Sequence, residues 1–422
     1  MYCKTILPNG IRVVTEEMPY VHSVALGIWV GAGSRHETDE NHGVSHFLEH
    51  LLFKGTHRRN AREIAEALES VGGVLNAFTT KEYTCFYTRV LAEYLDLAID
   101  VLSDMFFNAR FDPEDIAKEK KVILEEIKMY EDSPDEIVHD LFAQTVWPGH
   151  PLGRAILGTY SSIQELQREG ICGYYREHYQ GGRIVLAAAG NFKTRDLEDK
   201  LAEAFGRRPL GEGGVPCRAP EERAAVSVNV KETGQIQICL GVPGLAQDHP
   251  DIYVLQALNN ILGGGVSSRL FQLVREDRAL AYSVYSYHAG YSDSGLFTVY
   301  AGTSPEGALE VIRLILEQMA LIKQKGVTEA ELKRTKDQIR GNLLLGQENV
   351  SQRMSRLGRT ELCLGRVITV EETIERLSEV TVDDVQRVAR QLFSPQRLSL
   401  TTLGPALDDD LDLQSMAVQA GL

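Results

Sequence analysis

Two histidines flank a glutamate in the stretch Asn41-His-Gly-Val-Ser-His-Phe-Leu-Glu-His-Leu-Leu-Phe-Lys-Gly55. The spacing predicts a helix over 42–54, stopped by Gly55. Counting about 100° per residue from Val44, Leu51, Phe47 and Leu48 fall at about 340°, 300° and 40°, a single apolar stripe. Glu49, His46 and His50 fall at about 140°, 200° and 240°, on the opposite side. Imidazoles at i and i+4 point the same way and can share one metal ion. A carboxylate next to the second imidazole is placed to take a proton from water activated there. The competing account is a solvated helix face that carries two histidines by accident. With eleven His in 422 residues, that coincidence is uncommon.

A zinc site with two histidines needs a third protein ligand and keeps one position open. The stretch from Asp112 to Tyr130 offers it. Asp112 supplies a cap and Pro113 a first turn. With Glu119 at zero, Glu126 falls at about 340°, and Ile116, Ile123, Ile127 and Tyr130 lie between about 20° and 80°. Both glutamates therefore project on or beside the apolar face, where an unpaired carboxylate is costly and a buried cation compensates. Glu125 falls at about 240°, away from the stripe, so Glu126 is the better ligand of the two. Taken alone, this helix reads better as amphipathic with ragged edges, or with its glutamates paired to Lys or Arg. The histidines decide for the metal.

These segments need a scaffold, and the chain is long enough for two domains. Arg207 to Glu222 is dense in Gly and Pro, which marks a linker at 209–222 between domains over 1–208 and 223–422. The halves repeat. Val24, Leu26, Ile28 and Val30 alternate as a strand, and Ile236, Ile238, Leu240 and Val242 alternate in the same way at the corresponding place in the second half. Ile163 and Leu166 open a helix leading to the strand Ile184–Gly190, and Ile374 and Leu377 open one leading to Leu398–Gly404. In the first half, strands are predicted near 11–15, 23–30, 74–79, 83–90 and 183–190. Helices are predicted near 42–54, 60–71, 92–107, 112–131, 134–146 and 160–178. The fold class is α+β: two homologous domains, each a mostly antiparallel sheet packed against helices. The acidic stretch from Leu407 to Asp412 is expected to fray.

A formal net charge of −15 argues against a nucleic-acid partner. No apolar run reaches the roughly 18 residues that span a bilayer, so no membrane partner is expected. The opening decapeptide has neither an apolar signal core nor an Arg-rich presequence. Six scattered cysteines without a CxxC motif fit reduced thiols in a cytoplasmic protein. Gly263-Gly-Gly-Val-Ser-Ser lacks the Gly-Lys-Ser/Thr ending of a phosphate loop and is read as a turn between helix and strand.

The order His-x-x-Glu-His is the inverzincin signature, and here the chain resembles the pitrilysin, insulin-degrading and mitochondrial-processing peptidase family over essentially its whole length. That family places a ligand glutamate at a set spacing after the second histidine. Counted from His50, that spacing lands on Glu126, and a further family glutamate, two helical turns before the ligand, lands on Glu119. The resemblance implies one Zn2+ per subunit held by His46, His50 and Glu126, with Glu49 as general base and Glu119 supporting a ligand. Asn76, Ala77, Phe78 and Thr79 resemble the edge strand that pairs with an extended substrate, a mode that reads backbone more than side chain. Arg275 and Tyr282 have the spacing of the family's substrate-anchoring Arg and Tyr, which bond the carbonyl near the cut. A buried structural Arg–Tyr pair is the alternative.

The repeat offset maps His46, Glu49 and His50 onto Leu258, Ile261 and Leu262, and Glu126 onto Gln338, or onto Asn342 with a shifted gap. The second half has thus lost the metal set, which leaves it binding and enclosure. Longer family members join four such domains around a chamber, where the second half supplies Arg and Tyr to the site of the first. This two-domain chain carries both sets, so the resemblance implies a homodimer with Arg275 and Tyr282 acting in trans. A heterodimer with a non-catalytic partner stays open. The expected activity is a zinc metalloendopeptidase acting on short or unfolded peptides. The alternative is a non-catalytic assembly or chaperone-like subunit of the same fold.

Overall fold

The computed structural model describes residues 2–206, 217–406 and 412–422. It divides into two compact units, and neither is one continuous stretch of chain. The first comprises Met1–Lys128, Ala155–Cys217 and Leu343–Thr369; the second comprises Met129–Arg154, Arg218–Asn342 and Val370–Leu422.

The first unit is built on six strands: β1 (Tyr2–Ile6), β2 (Arg12–Glu17), β3 (Ser23–Val30), β4 (Val74–Thr79), β5 (Thr84–Leu91) and β6 (Ile184–Gly190). Their order is β1-β2-β6-β3-β5-β4. The second unit holds β7 (Val226–Val230), β8 (Ile236–Pro243), β9 (Ala281–Gly290), β10 (Gly295–Thr303) and β11 (Ser399–Gly404), ordered β7-β11-β8-β10-β9. In each sheet the last strand of its half inserts between earlier ones. β6 runs parallel to β2 and antiparallel to β3, as β11 does to β7 and β8. Apart from β1, the two topologies are the same, so the repeat seen in the residue pattern is a repeat of architecture.

Almost every residue of β3, β6 and β8 is buried. The alternation in β3 predicts one solvated face, yet both faces are covered. Val24, Leu26, Ile28 and Val30 meet the helices Val44–Leu52, Leu95–Asn108 and Arg168–His178. Ala25 and Trp29, with Val185, Ala187 and Ala189 of β6, meet Val350, Met354 and Leu357 of the helix Val350–Leu364. That helix comes from the second half of the sequence. Gly358 lies so close to the sheet that a Cβ there would stand 2.2 Å from Trp29 Nε1. Ion pairs hold the helix's length: Arg353 to Glu16 at 2.5 Å, and Glu361, fully buried, to Lys4 at 2.8 Å and Arg12 at 3.3 Å.

The second unit repeats the device with a helix from the first half. Val138, Phe142, Ala143 and Val146 of the helix Pro134–Val146 pack on Cys239, Leu296, Tyr300 and Leu403. The two borrowed helices begin at Pro134 and Val350, nearly equivalent points of the two halves. The contiguous domains 1–208 and 223–422 therefore differ from the compact units. A sheet apolar on both faces needs two covering layers, and each half lends one helix to the other's sheet. Of the expected linker, 209–216 lie outside the described residues, and 217–222 form neither helix nor strand.

Smaller differences have local causes. The helix predicted over 160–178 breaks into Tyr160–Glu165 and Arg168–His178. A straight helix would turn Ile171 about 140° away from Leu166, and the break lets both be buried. The exposed edge strand β1 and the helix Thr194–Phe205 are not among the predicted elements. Most of the acidic stretch, 407–411, lies outside the described residues; its last residue, Asp412, instead of fraying, caps a helix over Leu413–Gln419 through Ser415 N. Among the described residues no helix is long and apolar enough to cross a membrane.

Candidate metal centre

His46, Glu49 and His50 lie on the helix Val44–Leu52, which buries Phe47, Leu48, Leu51 and Leu52. The helix is shorter than predicted at both ends. Gly43, at φ +92°, has no side chain to cap it. The carboxylate of Glu37 does that work from outside, accepting Gly43 N–H at 2.7 Å and Ser45 N–H at 2.8 Å. At the other end Phe53 N–H and Lys54 N–H bond back to His50 and Leu51 carbonyls, which tightens the last turn before Gly55 is reached.

Glu126 comes from the helix Pro113–Glu131. Its two oxygens lie 3.7 Å from His46 Nε2 and 3.7 Å from His50 Nε2. The three ligating atoms all lie within 4.8 Å of one another. Atoms bound tetrahedrally at about 2.0–2.1 Å to zinc stand about 3.3 Å apart, so small inward shifts close this set on one ion. Glu125 points elsewhere and pairs with Lys128 at 2.6 Å. Burial, with His50 beside it, pulls the pKa of His46 down to about 3, so its imidazole is neutral. His46 Nδ1 is buried without a hydrogen-bond partner among the described residues. Two imidazole nitrogens and a carboxylate fit zinc by donor type.

Glu119 is 4% exposed and sits behind His50, its Oε2 3.2 Å from His50 Nδ1 and its Oε1 2.8 Å from Lys54 Nζ. Burial alone raises this carboxyl, but the bonds from His50 and Lys54 outweigh it and hold Glu119 below the usual range. An ionised carboxylate only accepts, so the bond to Glu119 takes its proton from His50 Nδ1, and the other ring nitrogen, Nε2, faces Glu126. Glu49 is pushed the other way. Burial lifts its pKa, and the hydroxyl of Thr79, donating to Oε2 at 2.5 Å, offsets only part of that.

Thr79 ends β4, the outermost strand of its sheet, bonded only to β5. Asn76, Ala77 and Phe78 thus lie on an open edge leading to Glu49. Ala77 N–H is engaged by Asn76 Oδ1 at 2.8 Å. The Phe78 ring packs edge-on against Trp29, Tyr83 and Tyr87, while its backbone pairs with Cys85 of β5.

In the second unit Arg275 Cζ sits 4.7 Å from the centroid of the Tyr282 ring, with Tyr282 78% exposed. A buried structural pair is therefore excluded. Between them Ala279 holds φ +51°, a strained conformation for a residue with a Cβ. The glycine run ends the helix Ile252–Gly263 and leads into a wide helical turn over Phe271–Asp277 before β9. Leu258, Ile261 and Leu262 of that helix, the counterparts of His46, Glu49 and His50, are buried core. Laying the helix Glu329–Gly346 on Pro113–Glu131 from their first residues aligns Glu126 with Asn342 rather than Gln338. Sequence reasoning gave no role to Glu37 or Lys54, and gave Thr79 a place on the edge strand but no part beside Glu49. Lys54 and Thr79 stand inside the stretches it singled out; Glu37 carries no local signal.

Residues 12–160 match the family described as Insulinase (Peptidase family M16), and residues 165–339 match the one described as Peptidase M16 inactive domain. A Bacillus subtilis protein named an uncharacterized zinc protease, YmxG, is 46% identical over 398 residues, covering 94% of this chain and 97% of that one. A similarly named protein of Streptomyces coelicolor is 43% identical over 413 residues, covering 96% and 90%. Among solved structures, a peptidase M16 inactive domain from Pseudomonas fluorescens superposes with a TM-score of 0.90 at 21% identity, over 96% of this chain and 98% of that one. That last likeness speaks to the fold alone.

Proposed function

The chain belongs to the insulinase family of peptidases, family M16, and from that premise we propose that it is a zinc metalloendopeptidase acting on short or unfolded peptides. The observation that carries this reading is the convergence of His46, His50 and Glu126, with ligating atoms within 4.8 Å of one another, beside a half-buried Glu49. Its relatives' name, zinc protease, agrees with that donor set.

Zinc at such a site makes water a nucleophile at neutral pH and polarises a carbonyl as a Lewis acid. The chain's own residues do the rest. Glu49 takes the proton of the attacking water and delivers it to the leaving amine. Burial suits it to this exchange by lifting its pKa above the ordinary carboxylate range. The open edge of β4 offers backbone partners to an extended peptide and so favours segments without fixed structure. Arg275 and Tyr282, stacked and accessible, donate to the substrate carbonyl of a second copy's site, making a homodimer the working form.

Two measurements test the proposal. Purified protein takes up one zinc per chain and cuts a quenched peptide, and Glu49→Gln keeps the zinc while losing turnover by about 10²-fold or more. Hydrolysis undiminished in that variant removes Glu49 from its role. Mixing Glu49→Gln with Arg275→Ala subunits restores activity if the site is completed in trans; a mixture no better than either alone refutes the trans arrangement.

A further inference from the structure

Three carboxylates, Glu49, Glu119 and Glu126, face or back this centre, and among the described residues one ammonium, that of Lys54, pairs with Glu119 behind it. Lys54 Nζ lies 2.8 Å from Glu119 Oε1, while Glu119 Oε2 lies 3.2 Å from His50 Nδ1. The chain Lys54–Glu119–His50 ends on an imidazole whose other nitrogen faces Glu126 at 3.7 Å. Resting on the reading above, we infer that Lys54 is a positioning residue: it locks Glu119, and through it the His50 ring, so that Nε2 is presented to zinc, and it sets how tightly zinc is held.

The charge count supports this role. A divalent cation balances two of the three carboxylates, and the Lys54 ammonium balances the third. Glu119 is the one most withdrawn from water, its side chain 5% exposed against 43% for Glu126. A buried carboxylate with a single imidazole donor is poorly compensated, and it finds relief by rotating toward water. That rotation releases His50. With Lys54 in place both Glu119 oxygens are engaged, and the ring has one orientation and one tautomer.

The backbone is built to hold this pair. Lys54 is the second residue after the helix Val44–Leu52, and its own N–H is fixed to Leu51 O at 3.1 Å. Gly55 then turns at φ +142°, and its carbonyl accepts Arg110 N–H at 3.1 Å. Thr56 pairs with Ala109 as an isolated bridge, and its hydroxyl donates to the buried Asp104 at 2.8 Å. Arg59 also reaches Asp104, at 2.8 Å. The segment carrying Lys54 is thereby tied to the strand-like approach, 109–110, of the helix that bears Glu119 and Glu126. Lys54 is 34% exposed on its side chain, enough to tolerate substitution without loss of fold.

The test is zinc affinity by chelator competition on the full-length protein, with the Co2+ absorption spectrum as a structural readout. Lys54→Met is expected to weaken zinc binding by about 10- to 100-fold and to shift the Co2+ bands, with the thermal midpoint of the metal-free protein little changed. Lys54→Arg stays nearer wild type. In a Glu119→Gln background, Lys54→Met costs nothing further, because its only route to His50 is gone. Should Lys54→Met fold poorly, Lys54→Gln, which keeps polarity and loses the charge, carries the same expectation. Equal affinities for wild type and the neutral variants, or losses that multiply in the double variant, overturn the inference and leave the zinc-peptidase reading intact. A wild-type protein that binds no zinc sinks both.

Discussion

The Thr79 hydroxyl donates to Glu49 Oε2 at 2.5 Å, joining the open edge of the first sheet to the proposed general base. On the proposed function, one residue marks where an added substrate strand would end and where proton transfer would begin. The bond favours the ionised carboxylate, whereas burial favours the neutral one. Removing the hydroxyl therefore raises the pKa of Glu49. Thr79→Val is expected to move the acid limb of the pH profile of kcat/KM upward by about one pH unit, since a bond to a charged group contributes about 1.5–3 kcal/mol and solvent screens part of it. Thr79→Ser keeps the wild-type profile. An unmoved limb in Thr79→Val would detach this hydroxyl from the chemistry.

Glu125 and Glu126 are neighbours with opposite surroundings. Glu126 meets both imidazoles at 3.7 Å, and Glu125 pairs with Lys128 in solvent. Losing a ligand must cost more than losing a group behind one. Glu126→Gln should lower zinc affinity by well over about 100-fold. Glu125→Gln should leave affinity unchanged, because an exposed pair contributes little. Isothermal titration of the two variants separates them, and equal losses would mean that the chosen ligand is the wrong one.

The exchange of helices makes a prediction about folding. Glu361 is fully buried at the end of the helix Val350–Leu364, with Lys4 and Arg12 on one oxygen. Truncating it strips both cations of their buried partner. Glu361→Ala should destabilise the protein by about 3 kcal/mol, read as a shift in the denaturant midpoint. Gly358→Ala should also destabilise, because its Cβ would collide with Trp29. Both variants act on the sheet that carries the metal centre, although they lie in the other half of the sequence from His46. If limited proteolysis shows the first sheet intact after the helix Val350–Leu364 is released, the helix is not a structural layer of that unit.

What could be read in the residues was what helix and strand periodicity and burial cost dictate. His46 and His50 share a helix face because 3.6 residues make a turn, and Glu126 stood out because a carboxylate beside an isoleucine stripe asks for a partner. The repeat was visible because β3 and β8 are central strands with the same apolar alternation. What stayed hidden depends on tertiary meeting. An apolar stripe tells that the helix Val350–Leu364 is covered, not which sheet covers it, so contiguous domain boundaries follow from the sequence and miss the exchange. Glu37 caps a helix further along the chain by folding back on it, and no local pattern encodes that. Lys54 and Thr79 are ordinary residues until Glu119 and Glu49 arrive from elsewhere.

The segment leading to Arg275 is anchored by a two-pronged ion pair, and its strength depends on pH. Arg269 Nε and Nη2 meet the two oxygens of Glu331 at 2.7 and 2.9 Å, and Thr328 N–H adds a bond at 2.8 Å. Burial raises the Glu331 carboxyl, but these donors outweigh it and bring the pKa down to about 2, against an ordinary 4.5. A carboxyl lowered on folding contributes stability that is complete above the unfolded value and is lost as pH falls through the folded one. The contribution is thus full above about pH 4.5 and gone below about 2. Arg269→Met should cost about 2 kcal/mol at pH 7. At pH 3, the unfolded carboxyl of the wild type is already protonated, so that penalty should shrink by about half. Denaturant midpoints of wild type and Arg269→Met at the two pH values measure it; a penalty that does not change would show that the pair leaves Glu331 as it is in the unfolded chain.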